Sequence, residues 1–202
     1  MSPKYNLMPF QYEPFNGDNF VCEIFLNLAK KHDCNIAFET GTCVGGTTKF
    51  LSENFNKVLT VEINKEYQNE AKLFVCKNNV DYYLGASEQI SENIIKEIPK
   101  NENVIFFLDS HWGNYCPLLI ELEFIGKHRQ GKDAIVIHDF KVPGINELGY
   151  DSYNGKDFDI DFVKKSLQTI FGLNNYSYFY NHEIAGAKRG VLFVERKLIN
   201  SN

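Results

Sequence analysis

The sequence has few of the features that direct a chain to a membrane, to the cell exterior or to nucleic acid. No apolar run approaches membrane-spanning length, and residues 1–5 lack the apolar core of a signal peptide. The five cysteines form no C-x-x-C pair and are odd in number, which argues against a disulfide framework. Lys and Arg number 21 against 26 Asp and Glu, and no basic run occurs, so unspecific nucleic-acid binding is disfavoured. The composition therefore predicts a reduced, cytoplasmic protein that partners neither a membrane nor a nucleic acid.

What the sequence does have is a regular alternation of short apolar runs with helical periods. Its 202 residues, 44% of them apolar, suit one domain with a sizeable core. The alternation predicts an α/β fold, a Rossmann-like doubly wound sheet of seven strands, mostly parallel, with helices on both faces and a C-terminal antiparallel hairpin. The fourth and fifth strands are continuously apolar, so we expect them to be neighbours in the middle of the sheet. The predicted strands cover residues 35–39, 58–61, 80–84, 104–108, 134–137, 176–180 and 190–195.

A glycine-rich turn joins the first predicted strand to the helix that follows. Glycines let a backbone turn sharply and let a ligand approach, and the amides at a helix start carry partial positive charge. The dinucleotide fingerprint G-x-G-x-x-G fails because Cys43 stands at its second glycine, which disfavours a nicotinamide dehydrogenase. A P-loop fails because no Lys follows Gly46. The remaining pattern, an acid followed by Gly41 and Gly45, predicts a cradle for a nucleotide-like ligand, although a plain tight turn would have the same sequence.

Each predicted parallel strand ends in a polar or small residue. Ligands of open α/β sheets bind outside the carboxyl ends of the strands, so these residues should converge. Glu62 has the geometry to accept both hydroxyls of a ribose, or it is a solvated charge at a strand end. Ser87 is suited to bind an adenine edge, to cap a helix, or both. Trp112, the single Trp, is suited to pack on a purine or to fill the core.

Asp109, His138 and Asp139 follow two neighbouring predicted strands and form a candidate site for a divalent cation. Sites made of oxygen ligands suit Mg²⁺, whereas one imidazole favours Mn²⁺, Fe²⁺, Co²⁺ or Zn²⁺. In the alternative interpretation, Asp109 orients a cofactor and His138 is a hydrogen-bonded residue at a strand end.

Five segments, taken in order, resemble the motifs of class I S-adenosylmethionine-dependent methyltransferases, and in particular of catechol O-methyltransferase and its small-molecule relatives. Together they span roughly residues 36–144, about half of the chain. The ordered set is more specific for fold and cofactor than for substrate. The segments are Glu39-Thr40-Gly41 with Gly45, similar to E-x-G-x-x-x-G; Val61-Glu62-Ile63-Asn64, similar to the ribose-binding acidic motif; Leu84-Gly85-Ala86-Ser87-Glu88, similar to G-A-S-Q; Phe107-Leu108-Asp109-Ser110-His111-Trp112, similar to F-L-D-H-W; and Ile137-His138-Asp139-Phe140 with Val142-Pro143-Gly144, similar to A-D-N and V-P-G.

The resemblance implies S-adenosylmethionine as the cofactor, assisted by a divalent cation, Mg²⁺ or Mn²⁺. The chain departs from the family pattern because His138 replaces an Asp, Asp139 replaces an Asn, one extra residue separates Asp109 from His111, and Gly113 replaces the catalytic Lys. The implied metal ligands are Asp109, His138 and Asp139. The implied cofactor-binding residues are Glu39, Gly41, Thr42, Gly45, Thr47, Glu62, Ile63, Ala86, Ser87, Asp109 and Trp112.

Because the family's lysine is missing, His111 is the first candidate for the general base, since a neutral imidazole can take a hydroxyl proton near pH 7. His138 is the second candidate if no metal binds there, and Asp109 completes the predicted catalytic set. The resemblance implies a cation-assisted O-methyltransferase that acts on a small hydroxylated acceptor, a sugar, glycan or phenol. Two alternatives stay open: a metal-independent enzyme with His111 as base, and a non-catalytic protein that binds S-adenosylmethionine.

Two segments outside these motifs are predicted to border the site. Residues 144–160 are expected to form the acceptor loop, because their tyrosines can stack on flat or sugar ligands. Residues 1–19 are expected to form an arm that closes over the cofactor or contacts a second subunit in a homodimer.

Overall fold

A seven-stranded sheet organises the chain. The computed structural model describes residues 10–129 and 133–197, so residues 1–9 of the predicted arm lie outside the described residues. The strands of the main sheet are β1 (Cys34–Thr40), β2 (Lys57–Glu62), β3 (Val80–Leu84), β4 (Asn103–Leu108), β5 (Ala134–Ile137), β8 (Tyr176–Tyr180) and β9 (Leu192–Arg196); a separate hairpin contains β6 (Ser152–Tyr153) and β7 (Lys156–Asp157). The order across the main sheet is β3-β2-β1-β4-β5-β9-β8. Strands β1 to β5 are parallel, and β9 is antiparallel to both β5 and β8, which confirms the predicted sheet.

Helices cover both faces of this sheet. In the described residues they are α1 (Asn19–Lys31), α2 (Gly46–Asn54), α3 (Lys65–Val75), α4 (Ser87–Glu97), α5 (Leu118–His128) and α6 (Ile160–Phe171). One hydrophobic cluster joins α1, α2 and α3 to the sheet through residues such as Phe25 and Leu51. The other joins α4, α5 and α6 to the opposite face through residues such as Leu122 and Leu167. The predicted doubly wound arrangement is therefore confirmed.

The two apolar strands β4 and β5 lie side by side near the middle of the sheet. Phe107 is opposite Val136, and all four residues of β5 are buried. Because a parallel strand in mid-sheet is covered by helices on both faces, every side chain along it must be apolar rather than every second one. The continuous apolar runs therefore predicted the position of these strands correctly.

The described part of the N-terminal arm, residues 10–18, packs on the start of α2. Phe15 is 2% exposed, and its backbone N–H donates to the Thr47 hydroxyl at 3.0 Å. Asp18 ends the arm by accepting hydrogen bonds from the first amides of α1. The arm passes so close that a Cβ at Gly46 would lie 2.5 Å from the Gln11 carbonyl oxygen. A glycine is thus required there for close approach of two backbones.

The predicted acceptor loop contains the short hairpin of β6 and β7, which the sequence analysis does not predict. Asn154 and Gly155 connect the two strands, with φ values of +54° and +75°. Two consecutive positive φ angles are the geometry of the tight turns that Asn-Gly pairs favour.

Candidate active site

A cavity of about 280 Å³ opens at the carboxyl ends of the parallel strands. The turn after β1 reaches across its neighbour, because a Cβ at Gly41, where φ is +88°, would lie 2.6 Å from the Asp109 carbonyl oxygen. Only glycine fits this position. The predicted site residues that line the cavity are Gly41, Thr42, Thr47, Glu62, Ile63, Ser87, Asp109, His111, Trp112 and Asp139.

Glu62 lies in the cavity wall, and the backbone holds its carboxylate. Oε2 accepts the Cys43 N–H and Oε1 accepts the Asn64 N–H, both at 2.8 Å. Burial raises the pKa of Glu62, and these amides oppose the shift. A carboxylate offers about four lone-pair sites, so each oxygen keeps capacity for a further hydrogen bond. This is a preorganised acceptor for two hydroxyls of one ligand.

Three predicted cofactor-binding residues, Glu39, Gly45 and Ala86, are not among the residues that line the cavity. Glu39 is fully buried, and its Oε2 accepts the hydroxyls of Thr48 and Thr60, both at 2.6 Å. Burial raises its pKa to about 8, against the effect of these two hydroxyls. The period of two along β1 turns Glu39 toward the face that α2 covers, which is why it lies beneath the cavity. Gly45 and Ala86 are the N-cap residues of α2 and α4.

A buried acid that the sequence analysis missed lies next to Ser87. The Ser87 and Ser110 hydroxyl oxygens are 2.9 Å apart, and the Ser110 hydroxyl donates to Glu121 Oε1 at 2.7 Å. Glu121 projects from α5 and is 1% exposed. Burial raises its pKa to about 7, and the serine hydroxyls oppose the shift. Ser87 does not cap α4, since the N-cap is Ala86.

Trp112 belongs to the cavity and is not among the fully buried core residues. It is half-buried, and its ring packs on Tyr115 with centroids 5.1 Å apart. The backbones of the two residues exchange hydrogen bonds of 3.0 Å in each direction. This small loop holds the indole ring at the cavity edge, where a flat ligand can contact it.

Asp109, His111 and Asp139 form a cluster in the cavity. One ligand atom from each lies within 4.8 Å of the other two. The distance from His111 Nε2 to Asp139 Oδ2 is 3.5 Å, and 43% of the His111 side chain is exposed. The imidazole is therefore accessible to a molecule in the cavity.

His138 does not join this cluster in the way that the sequence analysis predicted. It is 3% exposed, and its Nδ1 lies 3.2 Å from Asp109 Oδ1 and 3.1 Å from Asp139 Oδ1. Burial alone would lower its pKa, but the two carboxylates outweigh burial and raise the pKa well above the ordinary value. The His138 ring therefore faces both carboxylates from the buried side, whereas His111 faces them from the cavity. In the candidate metal cluster, His111 therefore replaces His138.

Arg189, a second residue that the sequence analysis missed, links the cluster to residues 144–160, the predicted acceptor loop. Its Nε donates to Asp139 and its Nη2 donates to Asp151. Burial alone would lower the pKa of Arg189, but the two carboxylates raise it above the ordinary value. The Tyr153 hydroxyl donates to Asp151 Oδ2 at 2.8 Å. Asp151 Oδ2 is also 3.9 Å from His111 Nδ1, so each imidazole nitrogen faces a carboxylate.

The carboxylate and imidazole groups of this cluster are of the types that bind divalent cations. Oδ1 of both Asp109 and Asp139 is engaged by His138, and Asp139 Oδ1 also by Arg189. The second oxygen of each carboxylate remains available beside His111. Two carboxylates and one imidazole suit Mn²⁺, Fe²⁺, Co²⁺ or Zn²⁺ better than Mg²⁺.

Comparison with known proteins assigns the fold. Neither a family model nor a curated protein matches the sequence. An O-methyltransferase from Bacillus cereus, solved in complex with S-adenosylhomocysteine, superposes with a TM-score of 0.64 at 14% identity, over 89% of this chain and 82% of that one. The O-methyltransferase TomG from Streptomyces achromogenes, involved in tomaymycin synthesis and solved with S-adenosylmethionine, gives 0.63 at 11% identity, over 89% and 80%. An rRNA methylase from Streptococcus thermophilus gives 0.53 at 14% identity, over 88% and 94%.

The chain therefore has the fold of the class I S-adenosylmethionine-dependent methyltransferases. Within the described residues, none of the helices has the length and hydropathy to cross a lipid bilayer.

Proposed function

We propose that this protein is an S-adenosylmethionine-dependent O-methyltransferase that acts on a small hydroxylated acceptor. The observation that carries the proposal is the Glu62 carboxylate, which the backbone fixes in the cavity wall as an acceptor for the two ribose hydroxyls. The complexes of the two structurally similar O-methyltransferases with this cofactor or its product support the assignment.

The other cavity residues divide along the cofactor. The turn from Gly41 to Thr47 and the helix start behind it border the methionine moiety, since the partial positive charge of a helix start favours a carboxylate. Ser87 and Trp112 border the adenine. The described part of the arm adds Gln11 and Glu13 to the lining, so the arm covers the cavity from the side of α2.

In the catalytic step His111 takes the proton of the acceptor hydroxyl while the oxygen attacks the methyl group of the sulfonium in line. The sulfonium is already activated by its charge, so the protein mainly aligns the reactants. Asp139 and Asp151 face the two nitrogens of the His111 ring and stabilise the imidazolium that forms. In the alternative route Asp109, His111 and Asp139 would hold a divalent cation, which would lower the pKa of a bound hydroxyl, and His111 would then be a ligand and not the base.

The charge of the cavity limits the acceptor. The described residues that line it include the acids Glu13 and Glu62, and neither Lys nor Arg is among them. Asp109 and Asp139 also line it, but His138 and Arg189 pair with them from behind. A neutral or cationic acceptor such as a sugar or a phenol should therefore bind in the cavity more favourably than a polyanion such as RNA or a coenzyme A thioester, which the acids would repel. We also propose that the protein acts in the cytoplasm, because all five cysteines are free thiols.

A binding titration followed by a transfer assay tests the proposal. Calorimetric titration with S-adenosylhomocysteine should give a saturable isotherm. Transfer of a labelled methyl group from S-adenosylmethionine should then be measured with a sugar and phenol panel, in EDTA and in added Mn²⁺. Transfer in EDTA would support His111 as sole base, and transfer that needs Mn²⁺ would support the cation. Absence of product binding would overturn the proposal, and binding without transfer to any acceptor would favour a non-catalytic binding protein.

A further inference from the structure

We propose that Glu121 sets the purine specificity of the cofactor cavity by orienting the hydroxyls of Ser87 and Ser110. The proposal rests on the function proposed above. Both serines line the cavity, whereas Glu121 lies behind them. The Ser110 hydroxyl donates to Glu121 Oε1 at 2.7 Å, and the Ser87 oxygen is 2.9 Å from that of Ser110.

The buried carboxylate has hydroxyl partners but lacks a cation. None of the ion pairs between described residues involves Glu121, although it is 1% exposed. A second acceptor nearby, Glu88 Oε2, is buried without a hydrogen-bond partner in the described structure. A buried carboxylate is costly unless its oxygens accept hydrogen bonds, so the hydroxyls are drawn into donating to it. Among the described residues, these two acids therefore place acceptors next to the two serines.

The direction of the hydroxyl chain decides which ligand atoms fit. A hydroxyl that donates its single proton inward can only accept from the cavity side. Ser87 and Ser110 thus present lone pairs to the ligand, which suits an N–H donor such as the 6-amino group of adenine. The 6-oxo group of hypoxanthine is an acceptor and would face these lone pairs without a proton between them. A site built to bond a particular group rejects an analogue that cannot make the bond.

The test compares two ligands on the wild type and on Glu121→Gln. Affinities for S-adenosylhomocysteine and S-inosylhomocysteine are measured by calorimetry at about pH 8.5, because burial raises the pKa of Glu121 to about 7 and the argument concerns its ionised form. The wild type should bind the adenine compound at least about tenfold more tightly. In Glu121→Gln the side-chain amide can donate to Ser110, so that a hydroxyl turns toward the cavity as a donor. The ratio of the two affinities should then fall severalfold toward one.

Controls separate a specific effect from a general one. Glu123→Gln, an exposed change on the same helix, should keep the wild-type ratio. Thermal unfolding shows whether Glu121→Gln is folded. A Ser110→Ala variant removes the hydroxyl that lies between Ser87 and Glu121, so it should also bring the ratio of the two affinities closer to one. An unchanged ratio in both folded variants would overturn this inference while leaving the cofactor assignment intact. If the wild type binds neither ligand, the proposed function itself is wrong.

Discussion

Replacement of Glu62 by Gln tests the cofactor site most directly. The two carboxylate oxygens each accept a backbone N–H at 2.8 Å, from Cys43 and Asn64. An amide has one oxygen and one NH₂ group, so in either orientation one backbone N–H faces a donor. The same NH₂ group can no longer accept a ribose hydroxyl. The substitution should therefore lower both the free energy of unfolding and the affinity for the cofactor, and the two effects can be measured separately.

The magnitude follows from the kind of bond that is lost. A hydrogen bond to a charged group contributes about 1.5–3 kcal/mol, so loss of one hydroxyl contact should weaken binding of S-adenosylhomocysteine roughly 10- to 150-fold. The unpaired backbone N–H should lower the free energy of unfolding by about 1–3 kcal/mol. Calorimetry gives the first quantity, and urea denaturation monitored by circular dichroism gives the second.

Two controls make the Glu62 result specific to the ribose. Glu66→Gln, an exposed change at the start of α3, should bind like the wild type. An S-adenosylhomocysteine analogue without the 2′ and 3′ hydroxyls should bind the wild type weakly. Its affinity for the Glu62→Gln variant should be nearly the same as its affinity for the wild type. Equal affinity of the wild type and the folded Glu62→Gln variant for the natural product would refute the role given to this carboxylate.

Four further variants test other parts of the site. His111→Gln should reduce methyl transfer about 100-fold or more while product binding persists. The control His182→Gln, an exposed change, should leave both the transfer rate and product binding as in the wild type. Arg189→Leu should lower the free energy of unfolding at pH 7 by about 2 kcal/mol, since it removes a cation that pairs with Asp139 and Asp151. Because burial is outweighed by His138 and Arg189, which lower the pKa of Asp139 in the fold, the deficit in urea melts should persist down to about pH 4 and shrink only below it. Glu39→Gln should flatten the pH dependence of stability: a pKa raised to about 8 makes the wild type lose stability as pH rises from roughly 4.5 through 8, and unfolding at pH 5 and pH 9 measures the slope. Gly46→Ala should displace the arm, because the new methyl group would lie 2.5 Å from its backbone, and residues 10–18 should become more sensitive to limited proteolysis.

Most of the fold could be predicted because its signals are local. Apolar runs, helical periods and breaking residues placed each main strand within one or two residues of its observed bounds. The small hairpin of β6 and β7 is not predicted, although the pair Asn154-Gly155 is a usable sequence signal for such a turn. Its flanking strands have only two residues each, which is too short for an alternation of polar and apolar side chains to be recognised.

The candidate site was predictable only where it follows strand ends. Glu62 and Asp109 come directly after buried strands, so the topology alone brings them to one edge of the sheet. Glu121 could not be found in this way, because it neighbours the apolar positions Leu118 and Leu122 on α5 and has the sequence of a polar helix flank. Its burial depends on contact with Ser110, eleven residues earlier, and such pairings are not encoded in local periodicity.

The cluster of Asp109 and Asp139 contains His111 and not the predicted His138, and the reason is the backbone at the end of β5. Adjacent residues at the end of β5 point in different directions, and Asp139 adopts a left-handed backbone with φ of +59°. That turn directs Asp139 into the cavity and leaves His138 buried at 3% exposure. Neither the turn nor the partner Arg189, fifty residues later, can be inferred from residues 137–140 alone.

The insertion of β9 between β5 and β8 bears on how the protein matures during synthesis. The cavity residues at or after the ends of β2, β3 and β4, namely Glu62, Ser87 and Asp109, are synthesised early. Arg189 and β9 emerge later than every other element of the sheet, and until then the outer edge of β5 has no strand to pair with. A domain generally folds as a unit, so this sheet is complete only once β9 is available. The contacts of Arg189 with Asp139 and Asp151 can therefore form only after nearly the whole chain has been synthesised.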